Sequence, residues 1–192
     1  MHSRYLGALP LALLLAGARH PTPTVVLVKQ TDVIRTTLED AKQFYVRNVT
    51  IGKDDFAQIR REVKDFSPED PNLRFYLGKT GAGQLSGVVL FPQVNTIHGP
   101  IEVGLTLSRD GSIKSAVVTK ATVETRPWVE GATAAGLMKR FQGMRYGDDV
   151  NRALQPLSRG AIGQMPYFEA QVIAAAVLQG LVLYHVLFHE AA

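Results

Sequence analysis

The residues best suited to chemistry in this chain of 192 residues lie in one short run, Glu124-Thr125-Arg126-Pro127-Trp128. The run follows a β pattern and opens a helical one. Pro127 suits the first turn of a helix, where its missing N–H costs nothing. Arg126 could meet an anionic phosphate there, and Trp128 could cover a flat ring. The competing reading is architectural: Thr125 caps the helix and Trp128 packs in the core. Other chemistries have less to stand on. The chain has no cysteine, which excludes disulfides, thiol catalysis, iron–sulfur ligation and C-type haem attachment. It has five histidines, two of them before residue 21, and no Ser-His-Asp arrangement can be assembled from them. His185 and His189 stand at i, i+4, a metal-binding spacing, with only Glu190 beside them, and read as a polar helix end. Thr80-Gly81-Ala82-Gly83 lacks the Lys-Ser/Thr of a phosphate loop and reads as a hairpin turn. Asp54-Asp55 and Glu69-Asp70 read as helix-start and turn carboxylates.

The elements that must position the run are legible from periodicity. Pro100–Ser108 alternates Ile101, Val103, Leu105 and Leu107 with Glu102, Gly104, Thr106 and Ser108, the period of a strand. Arg109-Asp110-Gly111 is a hairpin turn, and Ser112–Lys120 is the returning strand. Leu73–Lys79 and Gln84–Val94 add two more, for an antiparallel sheet of about four strands. Helical spacing is expected over Asp32–Val49, Asp54–Phe66, Val129–Phe141, Asp148–Leu154 and Tyr167–Phe188. Helices, then a sheet, then helices define an α+β fold. The last helix carries no Asp, Glu, Lys or Arg from Val172 to Phe188. A helix apolar on all sides must be covered on all sides. The cover is the domain core, a membrane, or partner subunits.

Hydrophobic residues make up 46% and charged residues 20% of the chain, the balance of a folded protein. A net charge of +4 with scattered basic residues excludes a nucleic-acid-binding surface. Met1–Arg4, the apolar run Tyr5–Leu15 and Ala16-Gly17-Ala18 have the form of an export signal or N-terminal anchor. The chain therefore divides into a signal or anchor at 1–18, a linker at 19–31, a helical extension at 32–72, and a domain at 73–192 that ends in the apolar helix.

Taken in order, Ile97-His98-Gly99-Pro100-Ile101, the Asp110-Gly111 turn, Glu124-Thr125-Arg126-Pro127 and Phe141-Gln142-Gly143 resemble the FMN-binding domain family. That family is found in extracytoplasmic subunits of membrane electron-transfer complexes. The resemblance spans roughly residues 70–188 and is strongest over 97–127. It implies that the Glu124-Thr125 loop lies against a flavin. It also implies a Ser-Gly-Ala-Thr element before the last helix, whose final Thr carries FMN as a phosphoester. Here that place reads Ser158-Arg159-Gly160-Ala161-Ile162. Gly160 and Ala161 match, but Arg159 replaces the Ser and Ile162 replaces the Thr, so no phosphoester can form. Ser158 is off register. Thr133, in Gly131-Ala132-Thr133, precedes the Phe-x-Gly segment and reads as a buried helix threonine. The resemblance thus implies non-covalent FMN at Glu124, Thr125, Arg126, Trp128, Arg159, Gly160 and Ala161. The implied setting is periplasmic, with membrane contact through the N-terminal segment and the C-terminal helix, and with subunits of an electron-transfer complex as partners. The alternatives are a flavin-free accessory subunit of such a complex and a secreted ligand-binding protein. An electron carrier or a structural subunit fits better than a catalyst.

Overall fold

The computed structural model describes residues 22–68 and 70–188. Seven strands form one antiparallel sheet in the order β1-β7-β6-β4-β3-β2, with β5 pairing beside β4 along the same side of β6. The strands are β1 Thr24–Val26, β2 Gln43–Thr50, β3 Asn72–Lys79, β4 Leu85–Leu90, β5 Gln93–Thr96, β6 Gly99–Leu107 and β7 Ile113–Thr122. The helices are α1 Gln30–Thr37, α2 Lys53–Glu62, α3 Arg126–Ala134, α4 Leu137–Arg140, α5 Arg159–Ile162 and α6 Gln164–Leu187. A 3₁₀ turn spans Val150–Leu154, with the Asp149 side chain accepting from the Asn151 N–H.

The α+β class and the β6–β7 hairpin are as expected, while the sheet is larger than four strands. Two of its strands come from before residue 72: β1 lies in the stretch 19–31 expected as a linker, and β2 weaves the stretch 32–72 into the sheet. The helix expected over Asp32–Val49 is corrected to helix α1 followed by strand β2. Phe44, Tyr45, Val46, Val49 and Thr50 are β-favouring types, and β2 pairs with β3 along its whole length from Gln43–Lys79 to Thr50–Asn72. The strand expected over Gln84–Val94 breaks at Phe91-Pro92 into β4 and β5; Pro92 cannot donate to a ladder. The helix expected over Val129–Phe141 divides at Gly136, which sits at φ 82°, a conformation glycine adopts without strain.

Both faces of β6 are covered, although its pattern alternates. Ile101, Val103, Leu105 and Leu107 are fully buried in the main core with α6. The alternate residues lie on the α1 side. Thr106 donates to the Thr37 hydroxyl at 2.8 Å, Gly104 lies against Val33, and Glu102 accepts from Gln30, Thr119 and Lys120. A polar alternate face can be buried because each polar atom finds a partner.

Helix α6 has 24 residues and rises about 36 Å. It is long and apolar enough to cross a membrane, yet 78% of its most apolar window is buried inside this fold. Its cover is the sheet with α2, α3 and the 3₁₀ turn, which makes it a core helix. Gly180 allows the close approach, since a Cβ there would stand 2.6 Å from Leu105 Cδ2 and 3.0 Å from Pro92 Cγ. The sheet edge at β2 leaves Phe44, Tyr45 and Val46 about half exposed. The segment 1–18 lies outside the described residues, as do His189 and Glu190.

Candidate functional site

Three chain segments converge where β5 turns into β6, where β7 runs into α3, and where α6 begins. Thr122, the last residue of β7, ties the first two together. Its hydroxyl donates to the His98 carbonyl at 3.0 Å, and its N–H donates to the Thr125 hydroxyl at 3.0 Å. Gly99 at φ 103° packs against the Thr122 methyl so tightly that no Cβ fits. The Thr96 hydroxyl accepts from the His98 N–H at 3.1 Å and donates to the Gly99 carbonyl at 3.0 Å. The turn holding His98 is thereby locked against the loop holding Glu124.

The side chains follow from that lock. His98 Nδ1 lies 3.0 Å from Glu124 Oε1. The His98 ring stands edge-on to Trp128 at 5.2 Å and to Phe168 at 6.3 Å between centroids, a favourable arrangement for aromatic rings. Trp128 is half-buried and Phe168 exposed. Glu169, next to Phe168 on the second turn of α6, is 0% exposed, and neither carboxylate oxygen has a hydrogen-bond partner. Burial pushes the Glu169 carboxyl up to about 7; His98 pulls it down and Glu124 raises it further. A buried carboxylate without a partner loses its solvation when charged, so it keeps its proton.

The expected site residues separate into two groups. Glu124, Thr125 and Trp128 come together around His98. Thr125 is fully buried, and its hydroxyl is committed to Thr122 rather than to a helix cap or to an open surface. Arg126 is exposed and paired with Glu130 at 2.8 Å. Arg159, Gly160 and Ala161 stand on the exposed four-residue helix α5, joined to the first group through the start of α6. Arg159 lies 5.8 Å above the Tyr167 ring, and Pro166 packs on Gly131 of α3. The Ser158 hydroxyl accepts from the Ala161 N–H at 3.1 Å and so caps α5. Thr133 is corrected from a buried to an exposed helix residue. The Thr80–Gly83 segment is the β3–β4 turn, closed by the Gly83 N–H on the Thr80 carbonyl. Asp55 accepts from the Gly52 N–H at the start of α2.

His98, Phe168 and Glu169 escaped the sequence reading. The signal for Glu169 was present: it is the one charged residue in the 24 residues of α6. A separate cleft of about 940 Å³ opens between the α2–β3 connection, β5 and α6, lined by Phe66, Tyr76, Gln93, Glu102 and Gln179. It includes none of the expected site residues.

Whether these residues suit FMN divides by part of the cofactor. His98, Trp128 and Phe168 pack edge to face and offer a flat ring an apolar contact. A phosphoester does not fit, because Ile162 has no hydroxyl and packs half-buried against the main core, while the Ser158 hydroxyl is engaged as a cap.

Sheet, core helix and the three converging segments make up a fold of the α+β class. A solved structure with this fold is the NqrC of Shewanella oneidensis, at a TM-score of 0.51 and 15% identity, covering 84% of this chain and 97% of NqrC. At that identity the likeness establishes the fold. No protein-family model and no curated protein sequence matches the chain.

Proposed function

We propose that this chain is a periplasmic, membrane-associated FMN-binding-like domain that serves a membrane electron-transfer complex and holds its flavin without a covalent bond. The observation that carries this reading is the aromatic platform of His98, Trp128 and Phe168, set beside Glu124 by the Thr122 tie. It forms on the same turn and loop that resemble the flavin family in sequence. Bound flavin supplies electron transfer. The chain supplies a ring surface, a His–Glu pair beside it, and a loop that exposes them to a partner. Ile162 and the capped Ser158 support the non-covalent form. The half-exposed β2 edge with Phe44, Tyr45 and Val46 is the surface that supports docking onto complex subunits, since exposed apolar edges mark interaction sites. The export-like segment at 1–18 supports the location.

The test is the flavin absorbance of freshly isolated protein before and after acid precipitation. Colour released to the supernatant is the expected result. Colour in the pellet would overturn the reading of Ile162. A second reading, a flavin-free accessory subunit, is favoured by the packing of Ile162 against the core and by the buried, unpartnered Glu169 carboxyl. Colourless protein, freshly isolated with its complex, selects that reading.

A further inference from the structure

Glu169 carries the molecule's unexplained chemistry. Among the described residues it is the carboxylate that is both wholly buried and without a hydrogen bond at either oxygen. A hydrophobic residue would fill the same place at no electrostatic cost. Next to Glu169 on α6 stands Phe168, whose ring lies 6.3 Å from that of His98 between centroids; His98 is bonded to Glu124 at 3.0 Å, and the Glu124 side chain is 44% exposed to solvent.

We propose that Glu169, His98 and Glu124 together form a reversible proton-binding site, in which Glu169 stores one proton and the charges of the His98–Glu124 pair set how tightly it is held. The step balances simply. On release the Glu169 O–H bond breaks, and a water molecule accepts the proton. The chain ends one unit more negative, and no oxidant or reductant is involved. The titratable groups acting on Glu169 are His98 from the β5–β6 turn and Glu124 from the β7–α3 loop. Helix α3, which packs on the start of α6, adds the Arg126–Glu130 pair, closed on itself at its exposed surface. An added negative charge at the ring platform tightens the hold on the proton, and an added positive charge loosens it. Charge arriving at this surface is therefore coupled to proton uptake. The proposal rests on the chain's own residues and stands whether or not a flavin is held.

The test uses the full chain without added ligand. Infrared difference spectra between about pH 5 and about pH 9 should show the C=O stretch of a protonated carboxyl without hydrogen-bond donors, lost with a midpoint near 7. In E169Q that band is absent. Glutamine keeps the size and removes the titrating proton. Glu124→Gln should shift the midpoint down and His98→Asn should shift it up, each by roughly one pH unit, a tenfold change in proton affinity. Trp128, the one tryptophan of the chain and in ring contact with His98, follows the same transition by fluorescence. A carboxyl band that survives in E169Q overturns the proposal. So does a pair of His98 and Glu124 shifts with the same sign, because opposite charges must act oppositely on one stored proton. Loss of flavin colour with these titrations intact would refute the flavin reading and leave the proton site standing.

Discussion

Replacing Glu169 by glutamine should make the protein more stable, and by an amount that depends on pH. In the folded protein burial lifts the carboxyl from its ordinary 4.5 to about 7. The unfolded chain, with the group in water, titrates at the ordinary value. Between these two values the folded state holds a proton that the unfolded state has lost. Stability therefore falls as pH rises through this window and levels off above it. A difference of about 2.5 pKa units at about 1.4 kcal/mol each gives about 3 kcal/mol lost between roughly pH 4.5 and pH 7. Glutamine is uncharged throughout and buries a similar polar surface. Its stability should match the parent near pH 4 and exceed it by about 3 kcal/mol near pH 8. For a domain of this length that is a rise in Tm of roughly 6–12 °C. Urea unfolding of both proteins at matched pH values measures the difference directly, with other titrating groups cancelling in the subtraction. A stability difference that stays constant across pH, or a variant weaker than the parent near pH 8, would refute the assignment of a buried, unpartnered carboxyl.

Three further outcomes follow from particular contacts. Gly180→Val should cost about 1–3 kcal/mol in urea or thermal unfolding, because its Cβ meets Leu105 and Pro92 at 2.6 and 3.0 Å; an unchanged Tm would mean that α6 does not lie so close to the sheet. Thr125→Val leaves the buried Thr122 N–H without its acceptor and should cost about 1–3 kcal/mol, with a change in Trp128 fluorescence as the loop shifts, whereas Thr125→Ser should restore most of both. Ile162→Thr gives the fourth position of the Arg159-to-Ile162 segment its missing hydroxyl. Together with the flavin transferase of the resembling family it should add one FMN to the intact mass, while the parent chain adds none.

The site was legible only in part, and the missing part has a physical reason. Glu124, Thr125 and Trp128 could be picked out because a strand, a turn and a helix start follow one another along the chain, and local backbone preference marks each of them. His98 and Glu169 are 71 residues apart by their numbers, and no local preference links them. Their encounter depends on Thr122 pinning one turn and on Gly131 admitting Pro166. The fold divides the same way. The β6–β7 hairpin was readable because Asp110-Gly111 fits a tight turn, with Gly111 at φ 77°, and the Asp110 carboxylate accepts from Ser112, which holds its pKa below the usual carboxylate range. Strand β2 was misread because six apolar residues can be counted at helical spacing as easily as at strand spacing, and the partner strand that decides between them lies some thirty residues on.

The sequence by itself determined the class of fold, the central hairpin and the impossibility of a phosphoester at Ile162, because turn geometry, side-chain alternation and the lack of a hydroxyl are properties of residues and their near neighbours. Tertiary structure decided that the apolar α6 is spent inside the domain, that the polar face of β6 is buried under α1, and that a carboxylate near the start of α6 lies buried without a hydrogen bond. Burial, and with it the protonation of Glu169, belongs to no residue alone; it arises from what distant segments place around it.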